Sequence, residues 1–140
     1  MIVNIIWIFI LIHIVWIPKN RKRILSVVIA DRVRELLHGI CREHEVEIIK
    51  GHISHDHVHM FVSVPPHLAI RKLVQYLKGK SSNRMLQEHK SLSKLYCGRH
   101  LWSRGYFVAT SGNLTDEVIM EYINNQEDKD SEEDFSISQP

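Results

Sequence analysis

Two histidines, His57 and His59, stand two residues apart in the segment GHISHDHVHMFVSVPP, residues 51–66. Side chains of an extended chain alternate between the two faces of a sheet, so both imidazoles point to the same side. Neighbouring imidazoles can hold a divalent metal ion, although two histidines on one strand can also be solvated or bonded to the backbone. The spacing therefore indicates a candidate metal site.

A tyrosine and a glutamine form a second candidate pair, Tyr122 and Gln126, in the segment TDEVIMEYINNQ. Residues four apart project from one face of a helix. Two imidazoles and one carboxamide oxygen suit an ion such as magnesium or manganese and leave positions for water or a phosphate oxygen. The alternative for Tyr122 is a core tyrosine, because apolar residues surround it on the same helix.

The elements that must position these residues follow from hydrophobic periodicity and turn signals. The pattern predicts a strand within the first 18 residues, a helix over 26–44 capped by Ser26, strands over 45–53 and 57–64, a basic helix from 68 to 89 interrupted by Gly79, a polar linker, a strand over 100–110 and a helix over 115–126. This order predicts an α+β fold with a ferredoxin-like antiparallel sheet, helices on one face and an added C-terminal helix.

The first 18 residues, MIVNIIWIFILIHIVWIP, are nearly all apolar and precede the basic KNRKR, as in a short membrane anchor. The run is at the lower limit of spanning length, contains Asn4 and His13, is dominated by isoleucine, and has no signal-peptide cleavage site. We therefore favour a strand buried on both faces and expect no membrane partner. A membrane-anchored small protein is the alternative.

The net charge of +2 hides a division between the chain and its end. Residues 127–140 hold six acidic groups and one lysine, a charge of −5, which leaves +7 on residues 1–126. A basic balance suits a polyanion such as nucleic acid, although an ordinary basic globule would share it. We predict one domain over 1–126 and a disordered acidic tail over 127–140.

The two cysteines, Cys41 and Cys97, lie far apart without a paired spacing. They suggest neither a disulfide framework nor a structural zinc site. We therefore expect a reducing, cytoplasmic setting.

Four segments now carry a resemblance to a known family: GHISHDHVHMFVSVPP, LVQYLKGKSS, HLWSRGYFV and TDEVIMEYINNQ. In this order and spacing, from about residue 12 to residue 126, they resemble the single-tyrosine HUH transposases of the IS200 group of bacterial insertion sequences. The resemblance makes His57, Val58 and His59 the metal-binding HUH motif, Tyr122 the nucleophile and Gln126 the third protein ligand.

Three departures from the family pattern accompany the match. His55 stands where the family usually has proline, and Ile12 where it usually has tyrosine. Residues 1–11 do not resemble the usual polar lead-in. None of these departures removes a matched ligand.

The resemblance also implies the reaction. It implies metal-dependent cleavage and rejoining of single-stranded DNA at hairpins near the element's ends, through a 5′ phosphotyrosine, by a homodimer in which the partner's tyrosine helix completes each site. Candidate DNA contacts are basic residues that could otherwise be solvated surface groups. They are Lys19, Arg21, Lys22, Arg23, Lys78, Lys80 and Arg104.

Two other functions fit parts of the pattern. A ferredoxin-like sheet also carries non-catalytic RNA readers, but these display several aromatic residues, and the histidine strand offers only Phe61 on that face. A domesticated, repeat-processing relative of the transposases would keep the same tyrosine and histidines. The sequence alone does not separate that relative from a mobile enzyme.

Overall fold

A four-stranded antiparallel sheet organises the computed structural model, which describes residues 9–96, 98, 100–110 and 117–126. The strands are β1 (Ile10–Trp16), β2 (Glu47–Ser54), β3 (His57–Val64) and β4 (Phe107–Thr110), in the order β2-β3-β1-β4. The helices are α1 (Val27–Glu43), α2 (Ile70–Glu88), α3 (Lys90–Leu95) and α4 (residues 117–126), with a 3-10 turn at Lys19–Arg21. The predicted ferredoxin-like arrangement is confirmed.

The apolar N-terminal run contributes a central strand. β1 pairs with β3 on one side and with β4 on the other, and Ile12, Ile14 and Trp16 are buried beneath α1 and α2. The prediction of a strand is therefore confirmed for residues 10–16. Burial on both faces is confirmed only in its later part, because Ile10 and Leu11 are exposed, while residues 1–8 lie outside the described part of the chain. No helix within that described part has the length and apolar character needed to cross a membrane.

The two long helices form as their sequences predict. Ser26 caps α1, since its Oγ accepts a hydrogen bond from the backbone N–H of Ile29 at 3.4 Å. α2 runs through Gly79 without the predicted interruption. Glycine weakens a helix by only about 1 kcal/mol, and the buried residues Leu73, Leu77 and Met85 on either side of Gly79 anchor α2 to the core.

The segment between α2 and β4 departs from the prediction twice. The predicted polar linker contains α3, which buries Leu92. The strand predicted over 100–110 is regular only from Phe107, because Gly105 adopts a φ of +83° that an extended strand cannot hold. Before that point the chain is held by hydrogen bonds from Ser103 N to Ile17 O and from Lys19 N to Leu101 O, both 2.9 Å.

The sheet has two different faces. We call the face beneath α1 and α2 the covered face; it holds the main hydrophobic core. We call the opposite face the open face; there Val15 and Ile17 pack against Ile119 and Ile123 of α4 in a separate small cluster. α4 is thus the predicted added helix, and it covers only part of the open face.

Candidate active site

The paired histidines lie on the open face, as the alternation of β3 predicts. Val58 and Met60 are buried in the main core, while His57 and His59 project to the other side. The register of the sheet places Ser54 opposite His57 and His52 opposite His59. Residues from β2 therefore surround the imidazoles.

A buried carboxylate orients His57. Asp56 is only 6% exposed, and its Oδ1 lies 2.9 Å from Nδ1 of His57. Since a carboxylate only accepts hydrogen bonds, Nδ1 of His57 carries a proton, which makes Nε2 the ring nitrogen that could face a metal ion. That Nε2 lies 3.3 Å from Ser54 Oγ.

The charge of Asp56 is maintained by its partners. Burial alone would raise the pKa of this carboxyl group, but hydrogen bonds from His57 and Arg21 outweigh burial and hold the pKa below its usual value. Asp56 is therefore ionised at neutral pH. It can stabilise positive charge on or near His57.

His59 has a different neighbour. Its Nε2 lies 3.0 Å from Nδ1 of His13 in β1, and the His13 ring stacks on Phe61 with centroids 4.4 Å apart. Burial lowers the pKa of His13, which favours its neutral form. On β2, the exposed His52 bonds Ser54 Oγ at 2.9 Å. Among the described residues, the open face thus holds four imidazoles, where the sequence indicated two.

A cavity opens beside these imidazoles. It has a volume of about 410 Å³ and is lined by His13, Lys50, Gly51, His52, His59 and Phe61. Lys50 adds a positive charge to the edge of this cavity. The sequence pattern does not indicate His13 or Lys50 as site residues, because their position beside the histidines depends on strand pairing.

The helix that carries Tyr122 packs on the same face. Tyr122 contacts the small cluster of Val15 and Ile17, and its ring centroid lies 5.7 Å from that of Phe107. The alternative of a packed tyrosine is thus correct as far as packing goes. It does not conflict with a chemical role, because the packing places the phenol on the histidine side of the sheet.

Gln126 lies near the end of the same cluster. It is buried, and its Nε2 donates a hydrogen bond to Ser103 Oγ at 2.8 Å. The backbone N–H of Ser103 donates a hydrogen bond to the carbonyl of Ile17, the residue that follows the last β1–β3 pair, Trp16 and Val58. Ser103 and His57 therefore lie on opposite sides of the same end of β1. Gln126 therefore contacts the Ser103 side of this strand end, opposite the His57 side.

The predicted DNA-contacting cations have varied surroundings. Arg21 bonds Asp56 and Asn124, and Lys78 Nζ donates to the carbonyls of Ser103 and Gly105, both at 2.7 Å. Lys80 bonds Glu43, and Lys22 lies over the Tyr96 ring. The remaining three are Lys19 in the 3-10 turn and the exposed Arg23 and Arg104. Arg21 and Lys78 thus hold parts of the fold together, and the role of all seven in DNA binding stays a prediction.

A metal ion on this face would need a mixed ligand set. Among the described residues, no three His, Cys, Asp or Glu side chains form a group that could hold one. His57 and His59 offer two imidazoles, and Asp56 already orients one of them. Gln126, across the end of β1 from His57, carries a carboxamide oxygen, a ligand type that divalent ions such as magnesium accept, and its role as a ligand stays a prediction.

The family model described as "Transposase IS200 like" matches residues 9–126. The chain belongs to the IS200-like transposase family. It is 33% identical over 118 residues to the ISDra2 transposase TnpA of Deinococcus radiodurans, covering 84% of each chain. It is 34% identical over 129 residues to the transposase of the IS200 element of Salmonella typhimurium, covering 91% of this chain and 84% of the relative. The family resemblance seen in the sequence is confirmed.

Solved structures agree with this transposase fold. A crystal structure of a Deinococcus radiodurans protein described as a transposase superimposes with a TM-score of 0.80 at 28% identity, over 90% of this chain and 98% of the other. A REP-associated tyrosine transposase bound to a REP hairpin shares the fold, with a TM-score of 0.55 at 11% identity over 89% and 68%. The IS200-like chain is therefore a DNA-processing enzyme of the transposase class.

Proposed function

We propose that this IS200-like transposase cuts and rejoins single-stranded DNA through a covalent bond between Tyr122 and a 5′ phosphate. One observation carries the proposal: α4 packs its Tyr122 face onto the sheet face that displays His57 and His59. A nucleophile and a pair of metal-binding side chains then share one surface. We place part of the bound DNA strand in the adjacent cavity of about 410 Å³.

The proposed metal ligands are His57, His59 and Gln126, and the proposed ion is magnesium or manganese. A bound divalent ion polarises a phosphate and offsets the negative charge that develops during its substitution. Neighbouring side chains of the protein orient these ligands. Asp56 fixes the ring of His57, and Ser103 fixes the amide of Gln126 so that its oxygen is the donor atom.

The tyrosine performs the covalent step. A phenol has a pKa of about 10, so Tyr122 must give up its proton as its oxygen attacks phosphorus. The bond between phosphorus and the 3′ oxygen breaks, and that oxygen takes up a proton to become a free 3′ hydroxyl. The phosphotyrosine keeps the energy of the broken ester. A second 3′ hydroxyl can therefore attack it, release the tyrosine and seal the strand without ATP.

The proposed substrate is single-stranded DNA that folds into hairpins at the ends of the element. A single strand exposes its bases for stacking and follows grooves of positive charge. The proposed DNA contacts include Lys19, Arg23 and Arg104. The hairpin held by the REP-associated relative supports this substrate class for the present chain.

The proposed assembly is a homodimer. Excision requires cuts at two DNA ends, and two chains supply two tyrosines. In the single chain α4 docks on its own sheet. In the dimer we propose that α4 serves the sheet of the partner, so that the small apolar cluster and the hydrogen bonds of Asn124 to Arg21 and of Gln126 to Ser103 form between chains instead of within one.

A cleavage assay tests the proposal. Labelled single-stranded oligonucleotides that carry the ends of the encoding element are incubated with the protein and magnesium, manganese or a chelator. The same oligonucleotides annealed to their complements serve as the control. We expect cleavage of the single strands only, and only with metal. Equal cleavage of the duplex, or cleavage with chelator present, would contradict the proposal.

A further inference from the structure

We propose that Arg21 is a positioning residue that couples the helix carrying Tyr122 to the strand carrying His57. The inference rests on the proposed function, since it assigns Arg21 a part in assembling that site. It replaces the simpler expectation that Arg21 is a DNA-contacting cation. Its basis is the pair of side-chain hydrogen bonds that one guanidinium group makes in two directions.

The first bond leads to the histidine strand. Arg21 Nε donates to Asp56 Oδ2 at 2.9 Å, while the other oxygen of Asp56 accepts from His57 Nδ1 at the same distance. Both carboxylate oxygens are therefore used, one on each side. Arg21 therefore fixes the carboxylate of Asp56, and Asp56 in turn fixes the ring of His57.

The second bond leads to the tyrosine helix. Arg21 Nη1 donates to Asn124 Oδ1 at 2.9 Å. Asn124 lies two residues after Tyr122 and directly after the buried Ile123. Because successive helical residues are rotated by about 100°, a bond at Asn124 restrains the rotation of α4 about its axis and hence the direction of the phenol.

The backbone supports the assignment independently. Asn20 and Arg21 have φ values of 60° and 51°, in the left-handed region that asparagine tolerates and arginine rarely adopts. Such strain persists where surrounding structure demands it, and it is concentrated at functional sites. Here the turn is held by Arg21 N bonding Pro18 O and Lys19 N bonding Leu101 O, both at 2.9 Å. The strained turn presents the guanidinium between β3 and α4.

The planar fork of arginine is essential to this role. It offers donors at fixed angles, so one group can serve a carboxylate and an amide oxygen lying in different directions. Lysine keeps the charge but is a single point donor. The substitution Arg21→Lys therefore separates a bridging role from a phosphate contact, which lysine would preserve.

The test compares Arg21→Lys, Asn124→Ala and the double variant with a matched control, Arg32→Lys. Arg32 is also an arginine that binds two partners, Glu88 and Glu35, but it links α1 to α2 on the covered side. For each protein we measure single-strand cleavage as kcat and KM, hairpin affinity, and hydrogen exchange of the amides of α4. The exchange measurement reports on docking of α4 even if no DNA is cut.

We expect kcat for Arg21→Lys to fall by about tenfold to a hundredfold, because small misplacements of reacting groups are costly. Hairpin affinity should stay within about twofold of the parent, and the amides of α4 should exchange faster. The kcat of the double variant should be no lower than that of Arg21→Lys, since both changes break the same link. Arg32→Lys should match the parent. Weaker hairpin binding at unchanged kcat, multiplied effects in the double variant, or unchanged exchange in α4 would each overturn the inference.

Failure of the proposed function gives a different result. In that case the parent itself forms no cleavage product, whereas the exchange of α4 still responds to Arg21→Lys and Asn124→Ala if Arg21 couples the two elements. Should Arg21→Lys fail to fold, Asn124→Ala alone decides the matter. Asn124 is exposed, so its truncation removes one hydrogen bond and little packing.

Discussion

The two faces of the sheet differ in composition although the same strands build both. On the covered face, β1 contributes Ile12 and Ile14 to the main core. On the open face it contributes His13 beside the paired histidines and Val15 beneath α4. The alternation of a strand thus separates two tasks. One side supplies stability through burial, and the other displays polar groups that stability alone would not require.

The tyrosines show the same division. Tyr76, Tyr96 and Tyr106 pack with the main core on the covered side, whereas Tyr122 packs with the small cluster on the open face. Among thiols, Cys41 is buried, and burial raises its pKa to about 12, so it is not a nucleophile at neutral pH. The comparison leaves Tyr122 as the phenol that shares a surface with the histidines.

Removing a histidine from β3 should have the largest effect on metal binding. We expect metal binding to weaken by more than about tenfold in His57→Ala and His59→Ala, because each change deletes a proposed ligand. Calorimetric titration with manganese measures the affinity. His67→Ala is the control, since His67 is exposed beyond the end of β3. Equal affinity in all four proteins would remove the open face as a metal site.

Truncations in the two hydrophobic clusters should separate stability from docking. Leu77 is fully buried in the main core, so Leu77→Ala should lower the free energy of unfolding by about 2–5 kcal/mol. Ile123 is fully buried in the small cluster, so Ile123→Ala should loosen α4 and reduce cleavage, with a smaller loss of global stability.

Denaturant unfolding and hydrogen exchange of α4 distinguish the two outcomes. Similar losses of unfolding free energy in both variants, with α4 still protected in Ile123→Ala, would show that α4 belongs to the main cooperative unit. The two faces would then not be energetically separate.

The smallest effect is expected on the covered side, at Glu88. Its hydrogen bond to Arg32 lowers its pKa from about 4.5 to about 2. A carboxyl group whose pKa is lower in the folded than in the unfolded chain stabilises the fold at pH values above its unfolded pKa. That stabilisation is lost as the pH falls towards 2. The parent should therefore be slightly more stable than Glu88→Gln at pH 7, and the difference should vanish near pH 2.

Thermal unfolding of the parent and Glu88→Gln across this pH range measures the effect, which solvent exposure keeps small. Cleavage at neutral pH should be the same in both proteins. A large loss of cleavage in Glu88→Gln would mean that the covered side contributes to the chemistry.

Local patterns in the sequence predicted the elements that depend on local physics. The cap at Ser26, the helix that follows it and the alternation of His57 with Val58 all appear as expected. The sequence pattern does not predict the positive φ of Gly105. Lys78, 27 residues earlier in the chain, bonds the carbonyls of Ser103 and Gly105, and local periodicity carries no sign of that distant contact. The segment 127–140, predicted to be a disordered tail, lies outside the described residues.

Contacts between distant residues could not be read from spacing. His13 meets His59 across 46 residues, and Arg21 meets Asp56 and Asn124 across 35 and 103 residues. The sequence shows only that Arg21 is charged, and a charged side chain is expected to contact solvent or DNA. Only the strand order and the docking of α4 reveal that its partners are a buried carboxylate and a helix side chain.

The most direct test of the central claim is covalent trapping with Tyr122→Phe. This change removes one oxygen and leaves the ring packed against Phe107. Tyr106→Phe is the matched control, because Tyr106 packs with the core on the covered side. Labelled single-stranded end DNA is incubated with magnesium and each protein, and denaturing gels reveal any protein–DNA adduct.

We expect the adduct with the parent and with Tyr106→Phe and none with Tyr122→Phe, while hairpin binding persists in all three. An adduct that still forms with Tyr122→Phe, or that disappears only with Tyr106→Phe, would contradict the assignment of the chemistry to the open face.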